Sequence, residues 1–377
     1  MNSAIIDSVE KQNINFWASV PCSIMTPLYN AFDTHAVIKN VTATSEGEAI
    51  GIASGAWLAG INAGVMMQNS GLGNAVNPLT SLNQTFQIPL ALMVTWRGQP
   101  GRKDEPQHKL MGSITPSLLS LLNIGSDVID SSQKRLEAIF KELSNKLADR
   151  MSHALIIPND LLITEKINEP STKQICQANR FNFQSSGQRP IRFRAIETCL
   201  NLLPDNAVVI ASTGKTGREL FTISDQSNFF YQVGSMGCAS ALGLGISLNT
   251  PLKVVVIDGD GAALMKLGNL ATIGHQSPEN LIHIILDNET YDSTGGQQTS
   301  AQTTDFALIA QACGYRNIYK ANCIEGFKDA VQEALEVKGP TLVHMKIESG
   351  SLKNLARPSV QPVEVALRFR KYLKQHR

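Results

Sequence analysis

The stretch from Val254 to Ala301 constrains the fold more tightly than any other part of the chain. An unbroken apolar run, Val254 to Ile257, reads as a buried strand of a parallel sheet. Asp258-Gly259-Asp260-Gly261 turns the chain at the strand's C-terminal end. Leu264, Leu267, Leu270 and Ile273 recur at three-residue spacing and predict a helix with one apolar face. A second apolar run, Leu281 to Leu286, then ends in Asp287-Asn288. Strand, helix and strand in this order form a right-handed crossover unit. Two neighbouring parallel strands therefore carry Asp260 and Asn288 to one sheet edge, the edge where open α/β sheets bind ligands. A carboxylate, an amide carbonyl and bare glycine backbone suit a hard divalent cation that keeps phosphate oxygens as further ligands. Gly261 and Ala262 open the helix, so their free N–H groups and the helix dipole can face phosphate. The simpler alternative is an ordinary βαβ unit whose Asp-Gly turn only reverses the chain.

Composition narrows the class. The 377 residues suffice for two domains with large cores. A formal net charge of +1, with no basic block before Arg368–Arg377, gives no electrostatic support for binding nucleic acid or membrane. The six cysteines (Cys22, Cys176, Cys199, Cys238, Cys313, Cys323) lack metal-like spacing and read as small core hydrophobes in a reducing compartment. No basic-then-apolar leader opens the sequence, and no apolar run approaches the ~20 residues of a membrane span. A cytoplasmic location is expected.

Along the chain, residues 3–17 predict an amphipathic helix capped at Ser3, and the loop VPCSIMTP follows. In it Ser23 either N-caps the next helix, the better reading from sequence, or faces a ligand. A strand at 37–43 leads to Thr44-Ser45-Glu46, and EGEAIGIASGAWLAG forms a helix whose small residues admit close backbone packing. Packing explains the glycines but not an acid at the helix's buried start. After the strand at 63–68 comes Asn69-Ser-Gly-Leu-Gly-Asn74. After the strand at 89–96 comes the irregular loop from Arg97 to His108, read by default as solvated, although long loops at a binding edge are often functional. A helix at 117–122, another at 132–148 and a strand at 154–157 complete the first half. The polar, non-periodic segment beginning at Lys166 reads as a linker. In the second half a strand at 207–211 leads to Ser212-Thr-Gly-Lys-Thr-Gly217. This is no P-loop, because Val209 stands where that motif needs glycine.

Gly-Asp-Gly followed by 25 residues and Asp-Asn resembles the diphosphate and Mg2+ motif of the thiamine diphosphate (ThDP) enzymes. The family's usual Asn pair is Asp287-Asn288 here, and the ligating second residue is kept. The resemblance implies two doubly wound parallel-sheet α/β domains, pyrimidine-binding (1–165) and diphosphate-binding (191–377), joined by a linker (166–190), with no central third domain. It implies Asp260, Asn288 and the Thr290 carbonyl as Mg2+ ligands. Thr213, Gly214, Gly259, Gly261 and Ala262 would meet the diphosphate. In Gly234-Ser235-Met236 the Gly234 carbonyl would accept from the cofactor's 4′-amino group, and Met236 would be the wedge beneath the bent cofactor. Asn74 joins the cofactor contacts. Aligning Gly51, Ala53 and Gly55 with the family pattern places the catalytic acid at Glu46, with Glu48 as the alternative. That acid hydrogen-bonds the pyrimidine ring and promotes the tautomer that generates the reactive ylid.

The compact form, pyrimidine half first, is similar to the phosphonopyruvate and sulfopyruvate decarboxylases, and VPCSIMTPL fits both. TWRGQPGRKDEPQH and YDSTGGQQT look like the phosphonopyruvate group. That likeness implies decarboxylation of the 2-keto acid 3-phosphonopyruvate to phosphonoacetaldehyde and CO2. Sulfopyruvate decarboxylation, or a carboligase acting on a related keto acid, is the alternative, with a non-catalytic ThDP-binding module behind both. So anionic a substrate needs cations or N–H donors. Ser23, Asn69, Arg97, Lys103, His108, Ser293 and Thr294 are the candidates, and His108 could also move protons. In the family the two motifs meet across a subunit interface, which implies at least a homodimer.

Overall fold

The structure, a computed structural model, describes residues 1–163, 166 and 178–376. Two compact units part between residues 173 and 174. Residues 167–177 of the segment read as a linker, Cys176 included, lie outside the described residues.

The first unit is built on six parallel strands: β1 (Phe16–Ser19), β2 (Lys39–Thr42), β3 (Ala63–Met67), β4 (Ala91–Thr95), β5 (Gly125–Val128) and β6 (His153–Ile157). Their order is β2-β1-β3-β4-β6-β5, so the chain leaves β1 in one direction and returns on its other side at β3. That reversal opens a crevice at the C-terminal ends of β1 and β3. β1, β3, β4 and β6 are buried along their whole length, as the apolar runs require. The helix expected over residues 3–17 stops at Lys11, has no side-chain cap at Ser3, and gives way to β1. Asn13 takes a left-handed φ of 53°, which ends the helix and frees the wholly buried Phe16 and Trp17 to enter the sheet. Strand β5 had no apolar pattern to announce it, being an exposed edge paired only through β6.

The second unit carries seven parallel strands: β7 (Asn179–Phe183), β8 (Val208–Ala211), β9 (Phe229–Tyr231), β10 (Val254–Gly259), β11 (Leu281–Asp287), β14 (Asn317–Ala321) and β15 (Thr341–Lys346). A short antiparallel hairpin, β12 (Thr290–Tyr291) with β13 (Gln297–Gln298), stands outside this sheet. The sheet order is β7-β14-β15-β11-β10-β8-β9. Its direction reverses between β8 and β10, and the loops after both strands open at that point. β7 comes from the segment read as non-periodic linker, because its exposed NRFNF pairs only with β14 at the sheet margin. The single helix expected after Asp260 is two, Asp260–Met265 and Gly268–Gln276. Of its apolar stripe, Leu270 and Ile273 are wholly buried, while Leu264 and Leu267 at the break are half-buried. The five described cysteines are free thiols. Among the described residues no helix is long and apolar enough to cross a membrane.

Candidate active site

In the second unit, the C-terminal ends of β8, β10 and β11 enclose a pocket lined by Thr213, Lys215, Met236, Gly259, Asp260 and Asn288, among others. Asp260 is the first residue of its helix and only 2% exposed. Burial, with the Asp287 charge adding to it, raises its carboxyl to about 6, although Thr299 Oγ1 donates to Oδ2. Burial disfavours the ionised form of this acid despite donors from Thr299 and the backbone, and a bound cation would offset that cost.

Asn288, 6% exposed, is held in a defined orientation. Its Nδ2 donates to Asp292 Oδ2 at 2.6 Å, and its Oδ1 accepts from Thr290 N at 3.2 Å. An ionised carboxylate only accepts, so Asp292 fixes which end of the amide is oxygen. Asp292 also accepts from Thr290 Oγ1 (3.0 Å) and Gly350 N, and it pairs with Arg192. Arg192 stands 3.6 Å from Glu219, a wholly buried acid whose pKa burial raises against the opposing charges of Arg192 and Lys215. Sequence reasoning missed Asp292 and Arg192; YDSTGGQQT contained the first, but their contact joins residues a hundred positions apart.

Asp287, where the family's usual residue is Asn, is buried and bonded by His344 Nε2 and Lys346 Nζ, both at 2.8 Å. Burial pushes its pKa up, but those donors outweigh it and hold the carboxyl below its usual range. Its Oδ1 accepts from the N–H of Glu289, which takes a left-handed φ of 62° between the two candidate metal ligands.

On the strands flanking this pocket, Gly214 caps the helix Lys215–Ile223 with φ 97°, a conformation glycine adopts without cost. Thr213 Oγ1 donates to Val233 O at 2.9 Å, tying the loop after β8 to the one after β9. The Gly234 and Ser235 carbonyls both accept from Gln232 Nε2, so Gly234 keeps one lone pair for a further donor. Ser235 has φ 52°, and this bend presents half-buried Met236 to the pocket. Gly261 and Ala262 are buried at the first turn of the helix that Asp260 begins, and a Cβ on Gly259 would meet nothing within 4 Å. The pocket thus offers an acid, an oriented amide oxygen, helix-start backbone and glycine clearance, a set that fits a metal-bound diphosphate. Among the described residues no cluster of three His, Cys, Asp or Glu side chains could hold a metal by itself, in keeping with a site of one carboxylate and neutral oxygens.

The hairpin β12–β13 bears Ser293 and Thr294. The Thr294 hydroxyl is engaged within it, by Tyr291 O and Gln297 Oε1, whereas exposed Ser293 lies beside Gly214.

In the first unit, Glu46 begins the helix Glu46–Leu58, which Ser45 caps by accepting from Glu48 N at 3.3 Å. The Glu46 side chain is half-buried against Gly71, where a Cβ would come within 2.1 Å of Oε1, so a larger residue there would push this carboxylate aside. Asn74 Nδ2 donates to Oε2 at 2.8 Å, leaving Oε1 free of that bond. Glu48 differs. It is 0% exposed, and its Oε2 is held by the backbone and hydroxyl of Thr44 at 2.6 and 2.5 Å. Of the two acids, Glu46 is therefore the one with an accessible oxygen.

The loop from Arg97 to His108 is braced rather than solvated. Arg97 grips Asp104 through Nε and a terminal nitrogen, and Asp104 also accepts from Gly98 N (2.7 Å) and Asn159 Nδ2 (2.9 Å). Asn69, a sequence candidate for substrate, is wholly buried; its amide bonds the Arg97 backbone and Thr115 Oγ1, which makes it a brace of this loop. His108 is 9% exposed, while Lys103 is fully exposed. Ser23 does not cap the next helix: Met25 holds that position, and exposed Ser23 begins a short 3₁₀ turn.

Two family models match the chain. Residues 1–117 match the thiamine pyrophosphate enzyme N-terminal TPP binding domain and residues 212–345 the C-terminal TPP binding domain. A phosphonopyruvate decarboxylase of Streptomyces viridochromogenes is 45% identical over 359 residues, covering 94% of this chain and 90% of that one. A sulfopyruvate decarboxylase of Methanosarcina acetivorans is 31% identical over 385 residues, covering 98% and 96%. Among solved structures, a thiamine diphosphate-dependent 4-hydroxybenzoylformate decarboxylase of Rhodococcus jostii RHA1 superposes with a TM-score of 0.73 at 13% identity, covering 93% of this chain and 99% of that one. That likeness is one of fold, and it matches the two parallel-sheet units without a third domain between them. With both cofactor-binding halves matched in order, this chain belongs to the thiamine pyrophosphate enzyme family.

Proposed function

We propose that the chain is a ThDP- and Mg2+-dependent carboxy-lyase that converts 3-phosphonopyruvate to phosphonoacetaldehyde and CO2. The observation that carries the substrate assignment is the 45% identity, along nearly the whole chain, to a phosphonopyruvate decarboxylase. At 31%, the sulfopyruvate decarboxylase supports the second reading, in which the retained anion is a sulfonate.

When bound, ThDP supplies the electron sink for the pair left behind as CO2 departs. Asp260 Oδ1, the oriented Asn288 Oδ1 and the Thr290 carbonyl would hold Mg2+, with Asp292 and Asp287 steadying the loop that bears the last two. Thr213, Gly214 and the helix start at Gly261 would receive the diphosphate, and Met236 the ring above it. Glu46, with Oε2 engaged by Asn74, would hold or move a proton at Oε1. Residues 1–165 would form the pyrimidine-binding domain and 191–377 the diphosphate-binding domain. The active unit would be a homo-oligomer in which the two halves of a site come from different subunits.

The test is CO2 release from phosphonopyruvate and from sulfopyruvate, with and without ThDP and Mg2+. Phosphonopyruvate is expected to be the better substrate, with turnover requiring both additions. Glu46→Gln is expected to lower kcat by at least about 100-fold while ThDP still binds in a fluorescence titration. Turnover at the wild-type rate in that variant, or preference for sulfopyruvate, would reverse the respective assignment.

A further inference from the structure

A second cavity, of about 450 Å³, adjoins the cofactor pocket and shares Thr213, Lys215 and Ser293 with it. Its remaining wall is Arg218, the end of β9 through Val233, and the segment Arg357 to Pro362 that leads into the last helix. Three cations, Lys215, Arg218 and Arg357, line it, and among the described residues none joins an ion pair within 4.0 Å; of the three, Arg218 is engaged by backbone carbonyls. Lys215 acts on buried Glu219 only as a more distant charge, one that opposes the rise burial imposes on that acid.

The position of Arg357 is built. Arg218, one turn after Lys215 on the same helix, donates from Nε to Ala356 O at 3.0 Å and from a terminal nitrogen to Leu355 O. A capping box between Gln361 and Glu364 then anchors the other end of the segment. Arg218 thus directs its donors to the backbone of the segment that carries Arg357, a residue of the cavity wall.

The cations of the loop from Arg97 to His108 present a contrast. Arg97 is neutralised by Asp104 and Arg102 by Asp160, which leaves exposed Lys103 and buried His108.

We infer that Lys215 and Arg357 form a subsite for the tetrahedral oxyanion of the substrate, its phosphonate group. The inference rests on the proposed decarboxylase reading. Such a substrate has two anionic ends, and the carboxylate leaves as neutral CO2. Fixed cations paired with that carboxylate would stabilise the ground state more than the transition state and slow the step. Paired with the phosphonate, which keeps its charge throughout, they add binding and orientation without that penalty. Lys215 and Arg357, without ion pairs in a recess beside the cofactor pocket and with Arg218 bound to backbone behind them, suit the end that stays charged.

The test uses the ThDP- and Mg2+-loaded protein and its Lys215→Met, Arg357→Met and Arg357→Lys variants. Calorimetric titration with phosphonoacetate and with sulfoacetate, neither a 2-keto acid, reads the subsite without turnover. Each methionine variant is expected to weaken phosphonoacetate binding by at least about tenfold, with Arg357→Lys intermediate and ThDP affinity within about threefold of wild type. The ratio of kcat/KM for phosphonopyruvate over pyruvate, which lacks the second anion, is expected to fall in parallel. Unchanged phosphonoacetate binding in both methionine variants would overturn the assignment. So would a loss of ThDP affinity as large as the loss of phosphonoacetate affinity, which would make these cofactor cations. Tighter binding of sulfoacetate than phosphonoacetate, lost on substitution, would overturn the phosphonate assignment in favour of a sulfonate. Failure of the wild type to release CO2 from phosphonopyruvate would refute the decarboxylase reading alone, since the phosphonoacetate titration still reports on the subsite.

Discussion

At the scale of single residues, two acids lie two positions apart at the start of one helix, and their surroundings divide the roles. Glu48 is wholly buried, with Oε2 held by Thr44 and Oε1 unpartnered, whereas Glu46 lies half-buried in a niche against Gly71. The spacing of Gly51, Ala53 and Gly55 already favoured Glu46; the niche itself depends on a loop 25 residues further on and could not be read. Asp292 illustrates the same limit, since it joins Asn288 and Thr290 of its own loop to Gly350 and Arg192, 58 and 100 positions away. Replacing it by Asn removes the charge that fixes the Asn288 amide. Asp292→Asn is expected to raise the Mn2+ dissociation constant about 10- to 100-fold, read from the free-ion electron paramagnetic resonance signal. An unchanged constant in a variant that melts like the wild type would rule out the orienting role.

At the scale of elements, the loop from Arg97 to His108 looked solvated because it is polar and rich in Pro and Gly. Its order comes from one carboxylate with four partners: Arg97, Gly98, Glu105 and Asn159. The bond from Arg97 holds the Asp104 carboxyl well below its usual range, with burial opposing and the backbone donors helping. A depressed folded pKa stabilises above the unfolded value, near 4, and that contribution fades as pH falls below it. Amide protection factors across residues 97–105, which divide out the intrinsic exchange rate, should therefore fall between about pH 4 and pH 2, more than in the helix Gln133–Ala148. Asp104→Asn should cost on the order of 2 kcal/mol at neutral pH, measured by urea denaturation, and should abolish this pH response. A protection profile that is flat across that window would refute the brace. The missed strands β5 and β7 belong to this scale too. Both are exposed margins whose backbone pairing, rather than apolar alternation, makes them strands.

At the scale of the whole molecule, the proposed cofactor contacts divide between two units, Glu46 in one and Asp260 with Asn288 in the other. If the halves meet across a subunit interface, specific activity should drop on dilution as the oligomer dissociates. Sedimentation velocity run alongside activity from micromolar to low nanomolar protein measures this. A monomer with undiminished activity would overturn the oligomeric reading. Sequence by itself determined the two parallel-sheet units and the sheet edge that carries Asp260 and Asn288. Buried parallel strands must be continuous apolar runs, and the turns at their ends need glycine and a short acid, so both leave local, ordered patterns. Only the tertiary structure decided which of the two acids is buried, how the Asn288 amide is turned, and which cations have no ion pair. Those outcomes depend on burial and on charges brought together from distant parts of the chain, and local spacing carries no record of either.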